Sequence, residues 1–409
     1  MRIAGAGCAV ADFLYADVNF EGEAFLRFRS RRRGDGGITP GGLVFVEEFE
    51  EFAGMPFKEA VRWIVGSREP DSFNLGGPAI VALTLVAQLL APRGVEVEYY
   101  GVRGQDDAGA RLLDIARRTP LRTDGYEAVE GPSSFTMVLS DPKYDAGRGE
   151  RAFLNAMGVS AGFGPEDLPD RFFDADVVLL AATALVPRLH ARLTDLLKKA
   201  KERGCVTVVT TVYDFRSEKA NPGAKWPLGE SEETYACTDL LIADREEALR
   251  ISGERSDREA YDYFKDNGLS AFAITNGPEP VWLYSREGLF RECPLSPLPV
   301  CRAVGEAMAA GEKPTGDTTG CGDNFAAGVI ASLAAQMMRG GSGRGVRDGL
   351  HLAQAVAAGV CAGGSACFHL GGTVIEKTPG ERAREIGELY ARYREQVRDA
   401  CRLSAEFPA

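Results

Sequence analysis

The sequence predicts an α/β fold with a central, mostly parallel sheet and helices on both faces. Two observations carry this. Short runs of branched and small apolar residues recur at 2–8, 96–102, 176–182, 206–211, 240–244 and 271–276, and they read as buried strands. Longer helical patterns lie between or after them, at 80–87, 190–203, 326–338 and 349–359. A parallel pair of strands needs a crossover element to bring the chain back, and strand–helix alternation supplies one.

Composition limits the function. Of 409 residues, 45% are hydrophobic and 26% charged, the balance of a soluble globular protein with a large core. A net charge of −12 argues against a general nucleic-acid binder. Nine cysteines without a C-x-x-C pattern, and only His190, His351 and His369, argue against a zinc site. The odd cysteine count and the lack of a signal peptide point to a reducing cytoplasm. The most apolar runs, 79–91 and 177–186, are too short to cross a bilayer, so no membrane partner is expected.

The chain is organised around 316–328, which reads Gly-Asp-Thr-Thr-Gly-Cys-Gly-Asp-Asn-Phe-Ala-Ala-Gly and runs into the helix-like stretch 326–338. The first N–H groups of a helix have no internal partner and sit at the positive end of its dipole. Glycines at 320 and 322 let that backbone approach an anion closely. Asp323 adds a negative charge beside such an anion. It makes sense as a base that takes a proton from an attacking hydroxyl while the N–H groups of Gly320, Cys321 and Gly322 hold a phosphoryl group. A helix cap with a turn is the plainer reading of the same residues.

In chain order, 2–8 ends in Gly5-x-Gly7, but Val10 stands where a dinucleotide fingerprint needs a third glycine. Asp12 follows the first strand, where open α/β sheets bind ligands. Arg27, Arg29, Arg31, Arg32 and Arg33 cluster before a glycine turn and read as a solvated loop, with an anionic sugar phosphate as the alternative. A short strand at 41–46 and a short amphipathic helix at 56–65 follow. Gly76-Gly77 opens the buried helix 80–87 and permits close ligand approach. A turn is expected at 104–109, and antiparallel strands at 134–140 and 151–155, carrying Thr136 and Arg151. Segment 219–234, with two prolines, reads as a surface excursion. Residues 240–248 form a strand entering a helix, with Glu246 and Glu247 as acids the dipole favours. The proline-rich 293–300 reads as a connector, 304–314 as an insertion, 340–345 as a turn, and 381–403 as a terminal amphipathic helix.

Asp317, Thr318, Gly320, Cys321, Gly322, Asp323 and Phe325 resemble the D-T-x-G-A/C-G-D-x-F signature of the PfkB (ribokinase-like) family of carbohydrate and nucleoside kinases. The resemblance extends in patches from about residue 3 to 375. It implies a ribokinase-like sheet in a main domain of 1–16 and 75–409, with a small β lid at 17–74 that closes over substrate and forms a homodimer contact. It implies an ATP-dependent kinase for a sugar or nucleoside hydroxyl, with Asp323 as base and Gly320–Gly322 as anion hole. Asp12, Gly76 and Gly77 match the acceptor-binding positions. Val81 replaces the asparagine of the family's G-G-x-x-x-N, which removes one acceptor hydrogen bond. Asp214 and Arg216 loosely fit polar positions at a strand end. Glu247 matches the glutamate that acts on Mg²⁺ through water, with Asp244 in place of an asparagine. Thr275, Asn276 and Gly277 match a strand end bordering ATP, Thr318 belongs to the nucleotide side of the signature, and Gln354 lies on the helix that flanks adenine. Asp317 and 363–365 are implied in seating K⁺. Phe13, Tyr15 and Phe20 either stack on a nucleoside base or pack the lid. A catalytically weak sugar- or nucleotide-binding regulator is the reading from another class; the intact Asp323 opposes it and Val81 keeps it open.

Overall fold

A computed structural model describes residues 1–32, 34–147, 149–311, 318–340, 349–399, 401, 403, 404 and 407. Among the described residues, fourteen strands form two sheets: β1 Arg2–Ala6, β2 Val10–Tyr15, β3 Leu43–Phe45, β4 Ser72–Gly76, β5 Glu96–Gly104, β6 Arg122–Val129, β7 Phe135–Asp141, β8 Glu150–Ala156, β9 Val177–Ala181, β10 Val206–Thr210, β11 Leu240–Asp244, β12 Ala271–Asn276, β13 Glu279–Ser285 and β14 Cys293–Leu298. The large sheet runs β14-β13-β12-β11-β10-β9-β1-β5-β6. It is parallel except for the pairings of β13 with β12 and β14. From β1 the strand order runs one way to β6 and the other way to β12, and a crevice at the carboxyl ends of such a sheet is where ligands bind. Alternate residues of each strand feed two cores: Ile3, Val97 and Leu179 on one face, Ala4, Tyr100 and Leu180 on the other.

Gly5 and Gly7 serve packing. A Cβ on Gly5 would lie 2.7 Å from Leu83, and one on Gly7 would lie 2.6 Å from the Ala181 carbonyl oxygen. The helix Pro78–Leu90 therefore rests directly on β1, which accounts for the glycine pair without a dinucleotide. That helix is buried at every residue from Ala79 to Leu90.

The second sheet, ordered β3-β8-β7-β2-β4, forms the lid. It draws β2, β7 and β8 from outside 17–74. One face has its own core, where Tyr15, Val44, Met137, Leu139, Ala152 and Leu154 meet Phe20, Phe25, Phe28 and Phe49. Because strand residues alternate, Asp12, Phe45, Thr136, Arg151 and Asn155 take the opposite face. Phe20 stacks on Phe25 at 4.2 Å, Tyr15 lies under Arg68, and Phe13 meets Phe73 edge-on, so these aromatics pack the lid.

Several local expectations change. The proline-rich 293–300 contains β14, an edge strand, where a missing N–H is tolerated. Segment 219–234 is anchored by the buried Trp226, whose indole donates to Glu218 (3.3 Å) and packs on Tyr213. The turn at 104–109 is the start of the helix Asp107–Arg117, capped by Asp106 accepting from the Gly109 N–H (2.8 Å). The supposed insertion holds the helix Arg302–Ala309. The terminal helix is Glu381–Gln396. The turn expected at 340–345 lies outside the described residues from 341 on.

Candidate active site

The signature loop enters the helix Cys321–Gly340. Gly320 has φ +77°, and a Cβ there would strike the backbone of Gly372. Only glycine fits that left-handed, closely apposed position. Asn324 locks the pair together: its Nδ2 donates to the carbonyls of Gly320 (2.8 Å) and Gly372 (3.0 Å). The Cys321 N–H is already bonded to the Thr318 carbonyl (3.2 Å). The first-turn N–H groups of Gly322 and Asp323 follow, with no carbonyl one turn back in the helix. Asp323 is half-buried, and desolvation pushes its carboxyl up to about 6.

The second sheet meets this region through Arg151, which donates to Thr319, and Asn74, which donates to the Leu370 carbonyl (3.1 Å). Asp12 pairs in register with Asn74 on one side and Thr136 on the other, and Thr136 pairs with Asn155. These four polar side chains form one cross-strand row. The Asp12 carboxylate lies over Gly76: a Cβ on Gly76 would come within 2.6 Å of its Cγ and 2.9 Å of its Oδ1. Gly77, at φ +104°, caps Pro78–Leu90, and a Cβ there would meet the Cys8 carbonyl oxygen at 2.5 Å. Cys8 links the two carboxylates electrostatically. Its thiol is pushed up to about 12, by burial first and then by the charges of Asp323 and Asp12. Val81 is buried. Its methyls would touch a Cβ on Gly372 at 3.1 Å, so it packs beneath the loop where the expected asparagine contact would be.

Beside the loop lie the acids after β11. Asp244 caps the helix Arg245–Ser252 in a reciprocal box with Glu247: the Glu247 N–H donates to Asp244 (2.8 Å) and the Asp244 N–H to Glu247 (3.2 Å). Thr211 Oγ1 also donates to Glu247 (2.5 Å). Glu247 is pushed up to about 7, by burial first and then by the charges of Asp244 and Asp323. Glu247 lies close enough to Asp244 and Asp323 for their charges to raise it, an arrangement that suits a bound cation. Among the described residues no three His, Cys, Asp or Glu side chains converge as direct metal ligands. Thr275 pairs in register with Asp244, and Asn276 and Gly277 follow it at the exposed end of β12.

Three expectations do not meet at this site. Gln354 turns into the protein: its amide donates to Tyr390 and accepts from the Ser404 N–H (2.6 Å), so its side chain is spent on packing the C-terminal segment. Residues 363–365 lie in the helix Leu352–Ala366, with the Gly364 and Ser365 carbonyls accepting from Cys367 (3.3 Å) and Phe368 (3.1 Å), so they form no cation loop. Asp317 lies outside the described residues, as does Arg33. Asp214 caps the helix Phe215–Ala220 rather than entering the site. The other arginines stay on the lid surface; Arg27 stacks on Trp63 at 4.4 Å. Arg151 is the residue that sequence reasoning left without a role. From β8 its Nη1 donates to Thr319 Oγ1 (2.6 Å), which brings a cation from the lid to the signature loop. Its place on an inward-facing strand position, with Asn155 four residues on, was the available signal.

The pfkB family carbohydrate kinase model matches residues 71–371. An uncharacterized sugar kinase of Archaeoglobus fulgidus is 26% identical over 244 residues, 59% of this chain and 84% of that protein. Among solved structures, adenosine kinase from Sinorhizobium meliloti superimposes with a TM-score of 0.64 at 18% identity, covering 94% of this chain and 98% of the other. Ribokinase from Thermotoga maritima does so with a TM-score of 0.60 at 15% identity, covering 94% and 98%. The folds agree across nearly the whole length, and the family match spans β4, both glycine turns and the Asp323 loop. The chain belongs to the pfkB family of carbohydrate kinases, phosphotransferases that act on a hydroxyl.

Proposed function

We propose that this protein transfers the γ-phosphate of ATP to a hydroxyl of a sugar or sugar-like small molecule. The observation that carries the reading is Asp323 itself, a carboxylate in the first turn of a long helix, directly after a glycine loop and near enough to Cys8 that its charge and that of Asp12 both raise the thiol. At neutral pH a carboxyl raised to about 6 is ionised and is a base of useful strength. Asp323 takes the proton of the attacking hydroxyl. Asp12 and the Gly76-Gly77 turn orient the acceptor, and the loop Gly320–Gly322 with its first-turn N–H groups receives the phosphoryl charge. Arg151 adds positive charge on the lid side of that loop. Glu247 and Asp244 would hold Mg²⁺, which would supply charge neutralisation at the phosphate oxygens. Thr275, Asn276, Gly277 and Thr318 border the nucleotide.

A nucleoside acceptor is the second reading. A cavity of about 880 Å³ lies between lid and sheet, lined by Phe45, Phe163 and Phe215 together with Met157, Arg216 and Lys219, and Asp12, Gly76, Gly77 and Asp323 are not in its lining. Its size fits a small-molecule site, and aromatic walls suit a flat base. A panel of sugars and nucleosides assayed for ADP release with Mg²⁺ and K⁺ separates the two. Failure of every acceptor, with ATP still bound, returns the protein to the regulator reading. Asp323→Asn is expected to abolish transfer and keep ATP binding; a fully active variant overturns the mechanism. We also place the protein in a reducing cytoplasm as a homodimer through the lid, where Leu26 and Trp63 are exposed on neighbouring helices. Sedimentation of the wild type against Trp63→Asp tests the dimer.

A further inference from the structure

The helices Cys321–Gly340 and Leu352–Ala366 touch through glycines. A Cβ on Gly328 would lie 2.6 Å from the Ala358 carbonyl oxygen, one on Gly359 2.8 Å from that of Phe325, and one on Gly363 2.9 Å from that of Cys321. Positions rise along one helix as they fall along the other, so the pair is antiparallel. The start of the first helix therefore lies beside the end of the second. Cys321 and Cys367 meet there, both half-buried, with their sulfurs 3.5 Å apart. The same two segments build the phosphate cradle, because Gly320 abuts Gly372 and both are tied by Asn324.

We propose that Cys321 and Cys367 are an oxidation site at which a hydroperoxide forms a disulfide that shuts down phosphoryl transfer. One thiol sulfur attacks the peroxide oxygen, giving a sulfenic acid and, with hydrogen peroxide, one water. The second thiol attacks the sulfenic sulfur and releases a second water. The two thiols together lose two electrons and two protons, and the peroxide is reduced to two waters. The sulfurs must close by roughly 1.5 Å to reach a bond of about 2.05 Å. The two helices are already in backbone contact, so neither can advance as a body. The movement falls on the ends that carry the sulfurs, namely the Gly320–Gly322 loop and the 367–372 turn. Misplacing a catalytic element by about 1 Å costs on the order of 10² in rate. A second thiol pair, Cys301 and Cys361, is also in hydrogen-bond contact but is buried and belongs to neither cradle segment, so it serves as an internal comparison.

The loss of activity rests on the kinase reading, whereas the cross-link does not. The full-length protein is treated with hydrogen peroxide under native conditions, digested without reduction, and mapped by mass spectrometry. Expected is a peptide pair joined through Cys321 and Cys367, lighter by two hydrogens, that dithiothreitol separates. Kinase activity falls by about 10² in parallel and returns on reduction. Cys367→Ser forms no such pair and keeps its activity in peroxide; Cys367→Ala replaces it if the serine variant does not fold. Absence of the 321–367 pair, or a linkage only at Cys301–Cys361, overturns the site. A formed pair with undiminished activity, or equal inactivation of Cys367→Ser, overturns its effect. Because the mapping needs no substrate, a protein that phosphorylates nothing in the panel still decides the cross-link.

Discussion

Gly76→Ala isolates the acceptor end of the site. The added methyl would collide with Asp12 Oδ2 and sit 2.6 Å from its Cγ, so the carboxylate must swing clear by about 1.5 Å to reach ordinary contact. The backbone at Gly76 is not in the left-handed region, so alanine adds no backbone strain there. Asp12 can rotate away at a cost of about 0.5–1.5 kcal/mol, which moves the melting temperature by under about 3 °C. The functional loss is larger. A hydrogen bond from an acceptor hydroxyl to a charged carboxylate contributes about 1.5–3 kcal/mol, so kcat/KM for the acceptor should fall about 10- to 150-fold. KM for ATP should stay near wild type, because the nucleotide side lies across the loop from Asp12. Steady-state kinetics with each substrate varied in turn, beside a thermal melt, read all three quantities. An unchanged acceptor KM would refute the placement of Asp12. Equal losses for acceptor and ATP would show a general distortion instead.

Three further outcomes test the site. With Asp323 raised to about 6, the base is lost as pH falls through that value, so kcat/KM should show an acidic limb near pH 6; a flat profile between pH 5 and pH 7 removes Asp323 from the base role. Glu247, raised to about 7, binds more protons in the native state than in the unfolded one, so its contribution is present at low pH and is lost as pH rises through about 7. Without Mg²⁺ the melting temperature should therefore decline from pH 5 to pH 8, and Glu247→Gln should flatten that decline; an unchanged slope in the variant contradicts the burial of this acid. Arg151→Met should lower kcat by about 10² with little effect on stability, as removal of a donor to developing charge does; a change confined to KM would make Arg151 a binding group only.

Much of the fold was readable because the large sheet's strands are local and buried on both faces. Runs such as 177–181 and 206–210 admit few other structures. The start of the helix Cys321–Gly340 was readable for a related reason: glycine spacing and the helical run after it are local facts, and Gly320 does take the left-handed turn they call for. The misreadings are long-range. Arg151 meets Thr319 across 168 positions, and only sheet register decides that it shares a face with Asp12. Gln354 sat on the expected helix, but its partners Tyr390 and Ser404 come from the C-terminal segment, and tertiary packing outweighed position. Prolines at 294 and 297 argued against a strand until the strand proved to lie at the sheet's edge. Val81 supplies no hydrogen bond, as its sequence implies, and its packing near Gly372 is a contact that only the folded chain shows.

The helix Pro78–Leu90 has a consequence for how such a protein can change its substrate. Every residue after its first proline is buried, and it is seated on β1 through Gly5 and Gly7. Its amino end at Gly77, which is proposed to border the acceptor and packs against Cys8 and Ala9, cannot shift without disturbing the main core. The lid face has more latitude, since Phe45, Thr136 and Asn155 sit on strands backed by a separate core. Acceptor preference is therefore most evolvable from the lid, while the Gly76-Gly77 edge stays a fixed datum against which any new substrate must be measured.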